Sequence, residues 1–280
     1  MEVIYLNPTE TSFDSAAHRP IKDICMAIGN FDGIHLGHRY IIESLKQYAV
    51  KNNLKSAILT FEPHPIAVFN PEAKNYRITP ESNKIKILEK IGLDYLFIAN
   101  FTPQFAKLSA QNFIKDIIVD KLNASKVFTG KDFIFGNNRS GNRNLLEVKS
   151  SEYGFQYQAI SDVNDEGNLR YSSSRIREML KSGNIEGANK MLNSNFTISG
   201  KVIEGQKNGR KLEHPTANLS LDEYIIPKFG VYSAKVTIDT KTKNKQTYKA
   251  AVNIGVKPTF GINEPILEAH IINFSQDIYK

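Results

Sequence analysis

Hydrophobic and polar positions follow two different periodicities along the chain. Up to about residue 185, short apolar runs at 24–28, 56–61, 95–99 and 127–129 are separated by stretches with helical spacing. From residue 196 onward the spacing changes to strict alternation, as at 231–238. The first pattern is typical of a parallel α/β sheet and the second of an antiparallel sheet with one polar face. The sequence therefore predicts an α/β domain over 1–185 and an antiparallel β-barrel domain over 186–280.

The same pattern predicts the individual elements. Helices are expected from His38 to about Lys51, at 84–91 and 110–120, from 172 onward, and again up to about 192. Pro80 suits the start of the second of these helices. A polar linker follows at 193–195, strands are expected at 248–254 and 267–274, and a polar turn is expected at 240–246.

One stretch, GNFDGIHLGH at 29–38, stands between a predicted strand and a predicted helix. Its glycines, Gly29, Gly33 and Gly37, let the backbone turn tightly and approach a phosphate closely. His35 and His38 add hydrogen-bond donors at a helix start, which itself favours anions. A tight turn, or half of a metal site, is the alternative. The single cysteine and few other histidines leave further zinc ligands hard to find.

Three further segments of the first domain carry polar side chains near predicted strand or helix ends. The prolines of FEPHP at 61–65 force an extended exit from a strand, so His64 faces either a cleft or a plain surface loop. In GKDFIFG at 130–136, Phe133 alternates with Phe135 as core residues do, and Asp132 also suits a turn. In SSSRIR at 172–177 the serines suit a helix cap, and arginines at that helix end are unfavourable unless an anion binds.

The β-domain contains two candidates for phosphate chemistry. In GRKLEHPTANL at 209–219, Thr216 and Asn218 place a hydroxyl beside an amide, a pair that can hold Mg²⁺ and a phosphate oxygen. An ordinary turn is the competing interpretation. Glu268, the second candidate, carries a carboxylate in an alternating strand, a pattern that by itself suits a solvent-facing side chain.

Composition limits the class of protein. No stretch of about 18 apolar residues is present, and the N-terminus lacks a signal peptide, so we expect no membrane partner. Cys25 is the only cysteine, which fits a reducing cytoplasm and a cytoplasmic location. The net charge of +7 favours anionic ligands, although surface lysines alone would explain it. No recognised nucleic-acid motif is present, and the sequence leaves the oligomeric state open.

Together these motifs resemble, in order and over nearly the whole chain, the prokaryotic bifunctional riboflavin kinase/FMN adenylyltransferase (FAD synthetase) family. The HxGH loop is also similar to that of the nucleotidylyltransferase superfamily. The resemblance implies a Rossmann-like N-terminal domain, a riboflavin-kinase-like barrel, the substrates riboflavin, FMN and ATP, the product FAD, and Mg²⁺. It implies catalytic roles for His35, His38, Arg177 and Glu268. ATP contacts are implied for Gly29, Phe31, Gly33, Gly37, Ser173, Ser174, Arg177 and Thr216. Flavin contacts are implied for His64, Asp132, Phe133 and Arg139, and metal contacts for Thr216 and Asn218.

The chain departs from the family pattern at three places. Ser174 stands where threonine is usual, which keeps the hydroxyl, and Glu213 replaces a usual glycine in a phosphate-facing loop. The family normally continues beyond Lys280, so we expect a C-terminally short kinase module. Glu213 and the early C-terminus favour an alternative in which only the FMN adenylyltransferase is active. Two further alternatives are a different phosphate substrate, such as phosphopantetheine or a phosphosugar, and a non-catalytic flavin-sensing or nucleic-acid-binding protein.

Overall fold

The computed structural model describes residues 1–7, 23–203, 216–238, 246–257 and 262–274. The chain divides into two compact units. The first consists of 1–74, 79–173 and 191–193, and the second of 75–78, 174–190 and the residues from 194 onward. The division of the chain into domains 1–185 and 186–280 stays a prediction.

A six-stranded parallel sheet forms the centre of the first unit. Its strands are β1 (Glu2–Leu6), β2 (Ile24–Ile28), β3 (Lys55–Glu62), β4 (Tyr95–Asn100), β5 (Ala124–Gly130) and β6 (Gln156–Ile160). Their order is β1-β4-β3-β2-β5-β6, and every pairing is parallel. The predicted parallel α/β sheet is confirmed, while β1 and β6 are strands that the sequence analysis missed. Because the order reverses at β2, the loops after β2 and β5 border the crevice where such sheets bind ligands.

Helices connect these strands. They are α1 (Leu36–Lys51), α2 (Pro65–Phe69), α3 (Glu81–Ile91), α4 (Ala110–Asn112) and α5 (Arg143–Tyr153). α4 continues directly into a π-helix at Phe113–Lys121, so the helix predicted at 110–120 is present but mostly not α-helical. Phe113 and Ile117, and likewise Ile114 and Ile118, are buried four residues apart. Because an α-helix buries side chains at the same spacing, the sequence pattern does not distinguish the two helix types.

The two faces of the sheet have separate cores. On β2, Ile24, Met26 and Ile28 pack into one cluster, whereas Cys25 and Ala27 pack into the other. All five side chains are buried. A strand that is apolar on both faces is the expected signature of a parallel sheet covered by helices, and it fixes the loop after β2 at the centre of the unit.

The second unit contains an antiparallel sheet. Most of two helices also belongs to this unit. They are α6 (Ser173–Ser182), which belongs to it from Ser174 onward, and α7 (Ile185–Leu192), which belongs to it as far as Lys190. The strands of the sheet are β7 (Thr216–Ser220), β8 (Gly230–Ile238), β9 (Gln246–Lys257) and β10 (Ile262–Ile271), in the order β7-β10-β9-β8. The predicted antiparallel domain is confirmed, and closure of the strands into a barrel stays a prediction. The competing interpretation of the segment 215–218 as an ordinary turn does not hold for 216–218, because these residues start β7 and pair with β10. The predicted polar turn at 240–246 lies almost wholly outside the described residues.

Candidate functional site

The loop after β2 is held by apolar side chains that turn back into the core. The N–H of Gly29 donates to the carbonyl oxygen of Leu59 at 3.1 Å, which ties the loop to β3. Phe31, Gly33 and Ile34 all have positive φ, at 48°, 90° and 43°. The side chains of Phe31 and Ile34 are buried. The Phe31 ring is therefore a loop anchor, and any contact it makes with a nucleotide would use its backbone.

Two stacked histidines lie at the start of α1. His35 is the N-cap residue, and its Nδ1 accepts a hydrogen bond from the backbone N–H of His38 at 3.4 Å. The two rings stack with centroids 3.8 Å apart and planes 20° apart, and Phe31 lies 5.1 Å from the His38 ring. Because Nδ1 of His35 accepts, a neutral His35 carries its proton on Nε2. The arrangement places imidazole donors at the positive end of a helix.

The His35 ring approaches the backbone of Gly37 closely. A Cβ atom at this position would lie 3.1 Å from Cε1 and 3.2 Å from Nδ1 of His35. The third glycine of the loop therefore sets the position of the histidine directly, and its predicted role as a phosphate contact stays a prediction.

Asp32, which the sequence analysis did not single out, ties the loop to two other segments. Its carboxylate Oδ1 accepts from the backbone N–H of Thr79 at 2.9 Å, and its carbonyl oxygen accepts from Ser173 Oγ at 2.8 Å. The side chain is only 2% exposed. The predicted ATP-contacting Ser173 is thus brought to the histidine loop. The signal in the sequence was an acidic residue within an otherwise phosphate-favouring loop, where a free carboxylate would repel the ligand.

His64 lies where the sequence predicted, just after β3. It is buried, caps the short helix α2, and accepts at Nδ1 from the N–H of Ile66 at 3.2 Å. In the neutral ring the remaining proton is on Nε2, which leaves that nitrogen as the donor. The competing interpretation, a plain surface loop, does not fit a buried capping histidine.

A group of charged side chains follows β5 and β6. Asp132 forms an ion pair with Arg170. Arg170 Nε also donates to Asp162 Oδ1 at 2.9 Å, and Lys131 Nζ lies 2.7 Å from Asp162 Oδ2. The sequence analysis missed Arg170, which lies 38 residues from Asp132 in a loop without a motif of its own. A ligand that contacts Asp132 would share its carboxylate with this guanidinium.

The two phenylalanines of the same segment have different surroundings. Phe135 is buried and contacts Phe113, with ring centroids 5.3 Å apart. Phe133 is half-buried and stacks on Phe135, also at 5.3 Å, with planes 15° apart. Arg139 is exposed, with φ at 57°. The core interpretation therefore holds for Phe135, whereas Phe133 and Arg139 keep surface that a ligand can reach.

In the second unit, Arg177 is held rigidly near the start of α6. Its Nε donates to the carbonyl oxygen of Tyr76 at 3.0 Å, and its guanidinium lies 3.7 Å from the centroid of the Tyr76 ring. The side chain is buried, while Ser174 in the first turn of the helix is exposed. A planar cation stacked on an aromatic ring is oriented before any anion arrives.

The β-domain brings three predicted site residues to one face of its sheet. Asn218 on β7 is directly opposite Glu268 on β10, and Thr216 lies two residues before Asn218 on the same face. Their neighbours Ala217 and Leu267 point into the core. Within the described residues, the buried Oδ1 of Asn218 has no hydrogen-bond partner. An uncompensated buried acceptor beside a hydroxyl and a carboxylate fits a hard cation such as Mg²⁺.

Asn253 on β9 is a further polar residue of this face, and it begins the stretch 253–260 that also resembles the riboflavin-kinase module. It pairs with Glu268 from the strand on the other side. The rest of the predicted kinase loop, including Glu213, and the segment 258–260 lie outside the described residues.

In the described part of the chain, no group of three or more His, Cys, Asp and Glu side chains is arranged to hold a metal ion. In the same residues, no helix is both long and apolar enough to cross a bilayer.

Known proteins resemble the chain over nearly its full length. The family model for FAD synthetase matches residues 18–175, and the model for riboflavin kinase matches 192–280. A Buchnera aphidicola protein named bifunctional riboflavin kinase/FMN adenylyltransferase is 38% identical over 257 residues, covering 91% of this chain and 81% of its own length. Proteins of the same name from Escherichia coli K12 and Haemophilus influenzae are 35% and 36% identical, covering 93% and 94% of this chain and 82% and 84% of their own.

A solved structure shares the fold of the whole chain. It is a crystal structure described as a macrolide-efflux protein from Streptococcus pneumoniae. It superposes with a TM-score of 0.82 at 29% identity, covering 99% of this chain and 86% of that one.

Proposed function

Because the chain belongs to the bifunctional riboflavin kinase/FMN adenylyltransferase family, we propose that it makes FAD from riboflavin in two ATP-dependent steps. The first transfers the γ-phosphate of ATP to riboflavin and yields FMN and ADP. The second transfers the adenylyl group of another ATP to FMN and releases pyrophosphate. The observation that carries the proposal is the stacked pair of His35 and His38 at the helix start beside the reversal of strand order, the place where an α/β sheet binds a nucleotide.

Adenylyl transfer needs no protein nucleophile. A phosphate oxygen of FMN attacks the α-phosphorus of ATP, and the bond to the pyrophosphate oxygen breaks. The protein positions the two substrates and stabilises the charge that develops on the phosphoryl oxygens. We assign this stabilisation to His35, His38 and Arg177, with ATP contacts from Ser173 and Ser174 and from the backbone of the loop: Gly29, Phe31, Gly33 and Gly37. The pre-oriented guanidinium of Arg177 supports its part in this assignment.

For the kinase step, we assign Mg²⁺ and ATP binding to Thr216 and Asn218 and the role of general base to Glu268. The metal neutralises charge on the phosphates when it is bound. Glu268 accepts the proton of the ribityl hydroxyl as that oxygen attacks the γ-phosphorus. The unpartnered Oδ1 of Asn218 directly opposite Glu268 supports this assignment.

For the flavin of the adenylylation step, we assign contacts to His64, Asp132, Phe133 and Arg139. His64 offers its Nε2 proton, and the half-buried ring of Phe133 offers an apolar face for the isoalloxazine ring. Asp132 and Arg139 follow β5, the strand beside β2 in the sheet. A cytoplasmic location is part of the proposal, because the single cysteine is buried as a free thiol.

A reciprocal pair of variants tests the assignment of the two steps. His38→Ala removes a charge-stabilising donor, so the rate of FAD formation from FMN should fall at least about 100-fold, with FMN formation from riboflavin unchanged. Glu268→Gln should instead slow FMN formation from riboflavin and leave FAD formation from FMN unchanged. Each variant is therefore the control for the other. Chromatography of the flavin products measures both reactions. Retention of FAD synthesis in His38→Ala would remove His38 from the mechanism.

A further inference from the structure

A buried ion pair lies beneath the histidine loop. Lys84 Nζ, on the first turn of α3, donates to the carbonyl oxygen of Asn30 at 3.0 Å, to Thr60 Oγ1 at 3.2 Å and to Glu62 Oε1 at 3.1 Å. The side chains of Lys84 and Glu62 are 2% and 10% exposed. All three protons of the ammonium are therefore used, and none of them is available to a nucleotide.

The contacts of Lys84 join the two segments that carry candidate site histidines. Asn30 directly precedes Phe31, whose backbone begins the left-handed turn toward His35. Glu62 is the last residue of β3 and lies two residues before His64. The carbonyl oxygen of Asn30 also accepts from Thr60 Oγ1 at 3.1 Å, so two donors converge on it. The buried ammonium of Lys84 thus fixes the position of the loop after β2 relative to the loop after β3.

Stability alone does not explain this arrangement. Burying two charges costs desolvation energy that their mutual attraction barely offsets, and apolar residues of similar size often serve stability as well. An ammonium can fix the positions of a carbonyl oxygen and a carboxylate at the same time, which an apolar side chain cannot do. Lys84 has this geometry with Asn30 and Glu62.

We propose that Lys84 is a positioning residue for adenylyl transfer: it holds the histidine loop and the His64 segment in the register that the reaction needs. The inference rests on the proposed function. Because Lys84 acts through backbone position, its loss affects the transition state more than ground-state binding. The kcat for FAD formation therefore falls, while the KM for ATP changes little.

The first experiment compares four proteins: the unmodified chain, Lys84→Met, the double variant Glu62→Gln/Lys84→Met, and Lys86→Met. Lys86 lies on the same helix but is exposed, so it controls for the substitution itself. Lys84→Met leaves the Glu62 carboxylate buried without the ammonium, and its melting temperature should fall. The double variant removes that charge, so its melting temperature should recover. Its kcat for FAD formation should stay at least about tenfold low, because Asn30 still lacks the ammonium donor.

A second, milder variant keeps the proposal testable if Lys84→Met does not fold. Thr60→Val has nearly the same shape and removes only the hydroxyl that donates to Asn30 and accepts from Lys84. We expect a reduction of kcat by about threefold, consistent with a smaller displacement of the loop. A double variant whose kcat recovers together with its melting temperature would overturn the proposal, as would Thr60→Val with the kcat of the unmodified protein.

Hydrogen–deuterium exchange separates failure of this inference from failure of the proposed function. The peptide covering 29–38 should exchange several-fold faster in the double variant than in Lys86→Met, whichever substrate the protein uses. Unchanged exchange in that peptide would refute the positioning role. Faster exchange, in a protein that makes no FAD even when unmodified, would show that Lys84 holds the loop and would place the failure in the proposed function.

Discussion

At the residue scale, the histidine loop is built from side chains that hold one another rather than from isolated donors. His35 accepts a hydrogen bond from the backbone N–H of His38 and stacks on its ring. Asp32 accepts one hydrogen bond from Thr79 at its carboxylate and another from Ser173 at its carbonyl oxygen. Each of these contacts fixes part of the loop that we propose binds the nucleotide. Small displacements inside this set should therefore change activity more than they change stability.

Gly37→Ala is the sharpest test of that expectation. The new Cβ would press on the His35 ring at 3.1 Å, so the ring must move by a few tenths of an ångström. Alanine inside a helix is otherwise favoured over glycine by about 1 kcal/mol. We expect FAD formation to slow by about three- to tenfold without loss of thermal stability. Steady-state kinetics and a melting curve of the same preparation measure the two effects, and a full-rate enzyme would show that the ring position is not critical.

Cys25 provides a reporter of local opening. It lies on the central strand β2, and burial raises the pKa of its thiol to about 12. We therefore expect no reaction with a thiol reagent at pH 8 in the native protein, and full reaction in denaturant. Because the folded pKa lies above the unfolded one, the stability contribution is complete below about pH 8.5 and is lost as pH rises toward 12. Rapid labelling of the native chain at pH 8 would contradict this burial.

The sequence indicated a site residue when its motif or its partners lie close to it along the chain, and missed it when they lie far away. The HxGH loop, FEPHP and SSSRIR were visible because each motif is contiguous. Lys84 and Arg170 were not. The partners of Lys84 lie at least 22 residues away, Arg170 pairs with Asp132 across 38 residues, and a lysine in a helical pattern looks like a solvated surface residue. The fold of the sheet brings such distant partners together, so the local sequence around each residue does not reveal them.

At the element scale, the strongly periodic segments were predicted and the short or polar ones were not. β2 to β5 lie where their apolar runs placed them, whereas β6 has alternating partial burial at an edge of the sheet and carries little hydrophobic signal. The π-helix at Phe113–Lys121 was predicted as an ordinary helix, because the two forms share most of their apolar spacing. In the β-domain, the start of β7 resembled a turn because the sequence Pro-Thr-Ala-Asn at 215–218, which overlaps it, favours one.

The loop after β5 depends on a close approach to α4. A Cβ atom at Gly136 would lie 2.6 Å from both Cα and N of Ala110, and the φ of Gly136 is 71°. Gly136→Ala should therefore reduce the free energy of unfolding by about 2–4 kcal/mol, and it should weaken FMN binding through the displaced Phe133.

Gly154→Ala is the matched control for this substitution. Gly154 also has a positive φ, 78°, but a Cβ atom there would meet nothing within 4 Å. Only the backbone cost of about 1 kcal/mol applies. Chemical denaturation of both variants, with FMN titration by fluorescence, measures the difference. Equal losses of stability would show that the contact with Ala110 is not a constraint.

At the scale of the whole molecule, two units of different architecture carry two phosphate chemistries that share ATP. Parallel strands create a crevice at their carboxyl ends, which suits a nucleotide laid against helix starts, and the histidine loop occupies that place. The antiparallel sheet instead presents Thr216, Asn218 and Glu268 on the face opposite its core. The net charge of +7 is consistent with substrates and products that are all anionic except riboflavin.

The measurement that tests the central claim most directly is analysis of the flavin products by chromatography. The purified, unmodified protein would be given ATP and Mg²⁺ with either riboflavin or FMN. We expect FAD from both substrates, with FMN as an intermediate when riboflavin is supplied. FAD from FMN alone would restrict the activity to the adenylyltransferase, and no FAD from either substrate would contradict the proposed function of both units.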